Sequence, residues 1–175
     1  MKSYTIHLIR HAYTKGNLEG RYIGHTDESL CKEGLDQLKT MQKDYDYPQA
    51  EVVFSSTLKR CLETAKIIYP DKTPIEMRGF DECDFGEFEN LTADELAPHE
   101  EFKEWLSGGP DARPLNGESN QEFSTRVCDT FIKTVDGLIK TGTTSCAIFT
   151  HGGVIMSILS AFGLPELPMT EWLCP

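Results

Sequence analysis

Three places along the chain put an arginine or a histidine where a strand gives way to a helix. Arg10-His11 follows the apolar stretch Tyr4–Ile9, Arg60 stands in the first turn after Phe54-Ser55-Ser56, and His151-Gly152-Gly153 follows Ser145–Thr150. In open α/β sheets, ligands bind beyond the carboxyl ends of strands, where helix N-termini expose unpaired N–H groups and partial positive charge. Such a place suits phosphate. Two guanidiniums would add fixed charge and a forked donor geometry matched to phosphate oxygens. The glycines after His151 would let backbone approach a ligand closely. No His/Asp/Glu group has metal-ligand spacing, so this chemistry is expected to need no metal and no cofactor. Singly, each feature has a plain structural explanation: surface chemistry for Arg-His, a satisfied structural role for a lone His, a turn for paired glycines. Their weight comes from equivalent positions on one sheet.

The elements that must position them read as follows. Tyr4–Ile9 is β-branched and apolar, as in a buried strand, and is followed by a polar loop over 12–29. Leu35, Leu38, Met41 and Tyr45 recur at helical spacing. Glu51–Phe54 is a second strand, Leu58 to Ile68 a helix stopped by Pro70, and 73–78 a further candidate strand. From about Gly79 to Gly117 acidic residues and prolines predict short helices in a surface insertion rather than core. Ser119-Asn120-Gln121-Glu122 has the S-x-x-E form of a capping box, and Phe123, Val127, Phe131, Val135 and Leu138 continue it as an apolar stripe. Ser145–Thr150 is a third strand. The last helix carries Val154, Ile155, Ile158, Leu159 and Phe162, with Gly163 as a stop and Pro165 beyond. Strands alternating with helices predict a three-layer α/β/α fold around a mostly parallel central sheet, with residues 1–175 as one domain.

A net charge of −11 disfavours nucleic acid as a partner, and no Lys/Arg-rich segment offsets it. An anionic substrate must therefore find a local cationic cluster set against the global field. No apolar run approaches the roughly 18 residues of a membrane span, and the N-terminus lacks the apolar block of a secretory signal. Six cysteines are scattered without a CxxC pair, as structural thiols in a reducing compartment would be. The expected location is the cytoplasm. Association as a homodimer is left open.

Leu8-Ile9-Arg10-His11-Ala12-Tyr13-Thr14-Lys15-Gly16-Asn17 resembles the leading motif of the histidine phosphatase superfamily, the phosphoglycerate-mutase-like fold. Gly20 to Asp27 is similar to the stretch that trails it. Ser55 to Arg60 with Thr64-Ala65 resembles the second-arginine helix, and Asp81 to Glu89 the acid-bearing segment. Gly117-Glu118-Ser119 and Thr150-His151-Gly152-Gly153 complete the order. The resemblance covers nearly the whole chain and implies a metal-independent phosphatase acting on a small phosphoester. It implies His11 as nucleophile and Glu82 as the acid that protonates the leaving oxygen and then activates water. Arg10, Arg60 and His151 would hold phosphate, with Asn17 and Gly152 as further contacts. Cationic surroundings should keep His11 neutral, and a facing phosphate dianion should raise the pKa of Glu82.

Departures from the motif are Ala12 and Tyr13 beside the nucleophile and Asn90 where Gly is common. The resemblance would also add a strand after Pro175. Asp84-Phe85-Gly86 favours the dephosphorylating branch, nearest the α-ribazole phosphatase and small broad-specificity phosphatases. The alternatives are a phosphoglycerate mutase and a catalytically silent phospholigand-binding module. Lys15, Arg21, Tyr22 and Gly24 are candidates to grip the organic part of the substrate, with Phe85, Phe88 and Trp105 from the insertion. For Phe85 and Trp105, packing in a minor core is the stronger expectation. His7 is expected to be structural, and His25 and His99 to face solvent.

Overall fold

Each long strand turns successive side chains to opposite sides of the sheet, and the two sides meet different helices. The computed structural model describes residues 2–172; the strand expected beyond Pro175, and Cys174, lie outside them. Strands β1 (Thr5–Arg10), β2 (Val52–Ser55), β3 (Ile75–Glu76) and β4 (Ser145–Thr150) form one parallel sheet in the order β1-β4-β2-β3. On one face Ile9, Val53, Ala147 and Phe149 pack against Leu38, Cys61, Ala65 and Ile68. These come from α2 (Lys32–Asp44) and α3 (Lys59–Ile68). On the other face Ile6, Leu8, Val52, Phe54, Cys146 and Ile148 meet Phe123, Val127, Leu138, Val154 and Ile158. Those belong to α6 (Asn120–Thr141) and α7 (Gly152–Phe162). The three-layer α/β/α expectation is met. β4, between β1 and β2, is buried almost end to end, whereas β1 is half-buried.

The capping box forms as expected: Ser119 accepts the Glu122 N–H, and the Glu122 side chain accepts the Ser119 N–H. Gly142, at φ +75°, ends that helix in the left-handed region. Gly163 also ends its helix, but for a different reason. Its backbone is extended, at φ −75°. A Cβ there would lie 2.4 Å from the Leu159 carbonyl oxygen, so space excludes a side chain.

Three details depart from the sequence reading. The loop over 12–29 contains a one-turn helix, α1 (Lys15–Leu18), with Thr14 and Asn17 forming a reciprocal cap. The candidate strand over 73–78 shrinks to Ile75–Glu76, both exposed. The stretch from Gly79 to Gly117 does hold short helices, α4 (Ala93–Leu96) and α5 (Glu100–Leu106), but it is not merely surface. Phe80 belongs to the core under α6 and α7, and Phe88, Leu96 and Phe102 build a separate buried cluster with Tyr22, Phe85 and Trp105 around it. Apolar residues at irregular spacing in an acidic stretch concealed that core from periodicity.

Candidate active site

Register brings the strand exits together. Arg10 lies opposite Thr150, and Ser55 opposite Phe149. The next residues keep step, since His11 N–H donates to the Thr150 carbonyl (3.0 Å) and Ser56 N–H to that of Phe149 (2.9 Å). His11 and His151 then meet edge to face, with ring centroids 5.0 Å apart. Arg60, fully buried, reaches the same place from the first turn of α3, its Nε donating to His151 Nδ1 at 3.3 Å. Arg10 stands beside the start of α7: a Cβ on Gly152 would lie 3.7 Å from its Cζ. Glu82 faces the neighbouring Gly153, whose N–H donates to Oε2 (3.1 Å). Arg10, His11, Arg60, Glu82, His151 and Gly152, predicted from far-apart segments, thus surround one spot.

The His11 ring is tied by its own neighbour. Nδ1 lies 2.8 Å from the Ala12 carbonyl, which can only accept, so Nδ1 carries the proton and Nε2 keeps its lone pair. Burial, with Arg60 and then Arg10 nearby, pushes the pKa of His11 down to about 3. At neutral pH the ring is uncharged, with a lone pair at Nε2. Ala12 fits without a left-handed backbone, being absent from the residues with positive φ, and its N–H donates to Thr64 Oγ1 (3.2 Å). Asn90, in the place of a common glycine, does take φ +65°, which asparagine tolerates better than most residues.

His151 is neutral as well, its pKa driven well down by burial and then by Arg60 and His11. Both ring nitrogens have protein partners: Arg60 at Nδ1, and at Nε2 the Ser56 hydroxyl (2.8 Å), the nearer neighbour of that nitrogen, with the Cys61 sulfur at 3.4 Å. Arg60 is equally committed. Besides Nε, its terminal nitrogens donate to the carbonyls of Thr26 (2.8 Å), Gly24 (2.7 Å) and Ile23 (3.4 Å). Of its five N–H groups one remains. A two-pronged grip on phosphate by Arg60, as the sequence suggested, would require it to give up part of this set.

Glu82 is buried, and burial raises its carboxyl pKa above the ordinary range. N–H groups of Cys83 (3.0 Å) and Gly153 pull the other way, since they favour the charged form. The segment carrying it is held by Arg126, which donates to the carbonyls of Gly79 (3.2 Å), Asp81 (3.0 Å) and Glu82 (3.3 Å) and pairs with Glu118 (2.7 Å).

The rim residues are engaged mostly with one another. Glu89 accepts N–H groups from Gly24, His25, Thr26 and Phe85 and the Thr26 hydroxyl. It thereby fixes the loop whose carbonyls hold Arg60. Gly24 is packed: a Cβ there would overlap the Cys83 carbonyl. Arg21 pairs with Glu19 (2.7 Å) and donates to the Asn90 carbonyl (2.6 Å). Tyr22 sits edge-on among Phe85, Phe102 and Trp105. Lys15 is largely exposed near Glu19. Asn17 Oδ1 accepts the Thr14 N–H (3.1 Å), which leaves its NH2 for a ligand. The structure therefore gives Arg21, Tyr22 and Gly24 structural work. Phe88 is buried, and Phe85 and Trp105 pack in the minor core as expected. His7 is half-buried in β1, His99 precedes α5 exposed, and His25 is exposed but faces Asp84 (3.3 Å).

Sequence reasoning gave no role to Ser56, Asp81, Glu89 or Arg126. Ser56 and Asp81 lie within the quoted motifs, which gave the only available sign. The backbone donors gathered by Glu89 leave no trace in residue type. Among the described residues no group of three His, Cys, Asp or Glu is placed to hold a metal, and no helix is long and apolar enough to cross a membrane.

Comparison with known proteins agrees with the fold. A family model for the histidine phosphatase superfamily (branch 1) matches residues 6–173. The adenosylcobalamin/α-ribazole phosphatase of Salmonella typhimurium is 28% identical over 160 residues, 87% of this chain and 76% of that protein. A 2,3-bisphosphoglycerate-dependent phosphoglycerate mutase of Gloeobacter violaceus is 29% identical over 161 residues, 87% of this chain and 72% of the mutase. The crystal structure of the α-ribazole phosphatase from Shigella flexneri superposes with a TM-score of 0.81 at 26% identity, covering 95% of this chain and 82% of that one.

Proposed function

The chain belongs to the histidine phosphatase superfamily, branch 1, and is a phosphatase; from that premise we propose that it hydrolyses a small phosphomonoester through a phosphohistidine on His11. The observation that carries the reading is the state of the His11 ring, neutral, with its Nδ1 proton spent on the Ala12 carbonyl and Nε2 free to attack.

In the first step Nε2 forms a bond to phosphorus while the bond from phosphorus to the ester oxygen breaks, and Glu82 gives that oxygen a proton. In the second, Glu82 takes a proton from water, the water oxygen bonds to phosphorus, and the N–P bond breaks. Charge gathers on the equatorial oxygens in both steps, so fixed cations do most of the work. Arg10 and the remaining N–H of Arg60 serve there, with Gly152 at the start of α7 and the Asn17 amide as further donors. His151 lines the same spot and aims Arg60 through its Nδ1, which accepts the guanidinium Nε–H. Burial keeps Glu82 protonated to a higher pH than an ordinary carboxyl, which suits a general acid.

The substrate class we favour is a nucleotide-like monophosphate such as α-ribazole 5'-phosphate, on the strength of the Salmonella and Shigella relatives. Five described cysteines, all free, suit a reducing cytoplasm. The net charge of −11 disfavours nucleic acid.

The test is turnover of p-nitrophenyl phosphate by the parent and by His11→Ala, with the acid-labile phosphoryl adduct sought on the enzyme. Equal rates, or an adduct on another residue, would end the reading. A panel with α-ribazole 5'-phosphate, phosphoserine and 3-phosphoglycerate then orders the substrates. Isomerisation of phosphoglycerate without release of phosphate would identify a mutase instead.

A further inference from the structure

The Ser56 hydroxyl has one proton and two lone pairs, and the structure accounts for all three. Its oxygen lies 2.7 Å from Asp81 Oδ1, 3.2 Å from the Leu58 N–H and 2.8 Å from His151 Nε2. The Asp81 carboxylate collects donors only: the Thr57 N–H (2.7 Å) and hydroxyl (2.8 Å) also point at it. The Ser56 proton therefore goes to Asp81, and Ser56 must accept from His151. That places a proton on His151 Nε2. At the other edge of the ring a guanidinium, which can only donate, faces Nδ1. All four side chains are buried, Arg60, His151 and Ser56 completely and Asp81 nearly so. In a site closed to water, a reversed hydrogen bond has no solvent to repair it.

We propose that Asp81 is a positioning residue that acts through Ser56 on His151, deciding which ring nitrogen holds the proton and thereby where Arg60 is aimed. With the proton on Nε2, the Nδ1 lone pair holds the Arg60 Nε–H. With the proton on Nδ1, two donors would oppose each other and drive the guanidinium from its place beside His11. The consequence for turnover rests on the phosphatase reading above; the tautomer itself does not.

The experiment uses the full chain labelled with 15N-histidine, with the His151 signals assigned by their loss in His151→Gln. The parent should show Nε2 protonated and Nδ1 bare. In Asp81→Asn the amide can donate to Ser56 and reverse its hydroxyl, so the His151 pattern should change and kcat on p-nitrophenyl phosphate should fall about tenfold to a hundredfold. Ser56→Ala should cost a similar factor, and the double variant no more than either alone, because Asp81 would have nothing left to act through. An unaltered His151 pattern in Asp81→Asn would overturn the proposal, as would losses that multiply in the double variant. If Asp81→Asn does not fold, Ser56→Ala decides: parental His151 signals and kcat would overturn it. A parent that hydrolyses no phosphoester would defeat the phosphatase reading while the nitrogen signals still judged the link to Asp81.

Discussion

Replacing Gly153 with alanine should separate activity from stability. Gly153 is the second residue of α7, and its N–H donates to Glu82 Oε2. An added Cβ would lie 2.5 Å from Oε1 and 3.2 Å from Cδ of that carboxyl, where real Cβ contacts stay above 3.0 Å. The carboxyl must retreat by nearly an ångström to reach an ordinary contact. Misplacing a catalytic group by about 1 Å costs on the order of a hundredfold in rate. Alanine is meanwhile favoured over glycine inside a helix by about 1 kcal/mol, which offsets the local repacking. The assay compares kcat/KM for an alkyl phosphate, whose leaving oxygen needs a proton, with that for p-nitrophenyl phosphate, whose leaving group does not. Gly153→Ala should lose about a hundredfold on the alkyl ester and clearly less on the aryl one, with the melting temperature within a few degrees of the parent. Gly152→Ala is the comparison, because its Cβ meets Arg10 at an unstrained 3.7 Å and should leave the ratio between the two esters unchanged. Equal losses on both esters, or the same ratio in both variants, would refute the role given to Glu82.

Acid should unfold the protein through its buried histidines. His11 titrates near 6.5 when unfolded and about 3 when folded, so the unfolded chain binds more protons between those values and stability falls as pH drops through that window. The loss from His11 over that whole window is on the order of 5 kcal/mol, His151 adds to it, and the raised carboxyl of Glu82 acts oppositely above its own unfolded pKa. Urea midpoints measured from pH 7 to pH 4 that do not decline would contradict the burial of these rings. Cys61 and Cys83 are buried thiols held protonated by desolvation, so iodoacetamide at neutral pH should leave turnover intact; inactivation with a label on either would refute that.

The main strands and both helices of the α6/α7 face were legible because their signals are local. An apolar run ends at Arg10, a capping box opens α6, and a second apolar run ends at Thr150. The convergence of His11, Arg60 and His151 followed from topology alone, since a parallel sheet puts its carboxyl ends on one side. Legibility failed where side chains bind backbone. Nothing in the letters says that Glu89 will gather four N–H groups, or that Arg60 will spend three donors on the carbonyls of residues 23, 24 and 26. Arg21 and Gly24 stand on the first loop among the candidates to grip a substrate. The structure uses one as a fastener and the other as a gap through which the acid segment passes.

Phe88, Leu96, Phe102 and Trp105 bury one another in a cluster distinct from those on the sheet. A unit with its own core can be rebuilt, lengthened or exchanged while the layers beneath it keep their fold. A tether that such rebuilding must respect is Glu89, because the loop it fastens also cradles Arg60. Changes within that cluster can therefore leave the Arg60 cradle intact, provided that the Glu89 carboxylate stays put.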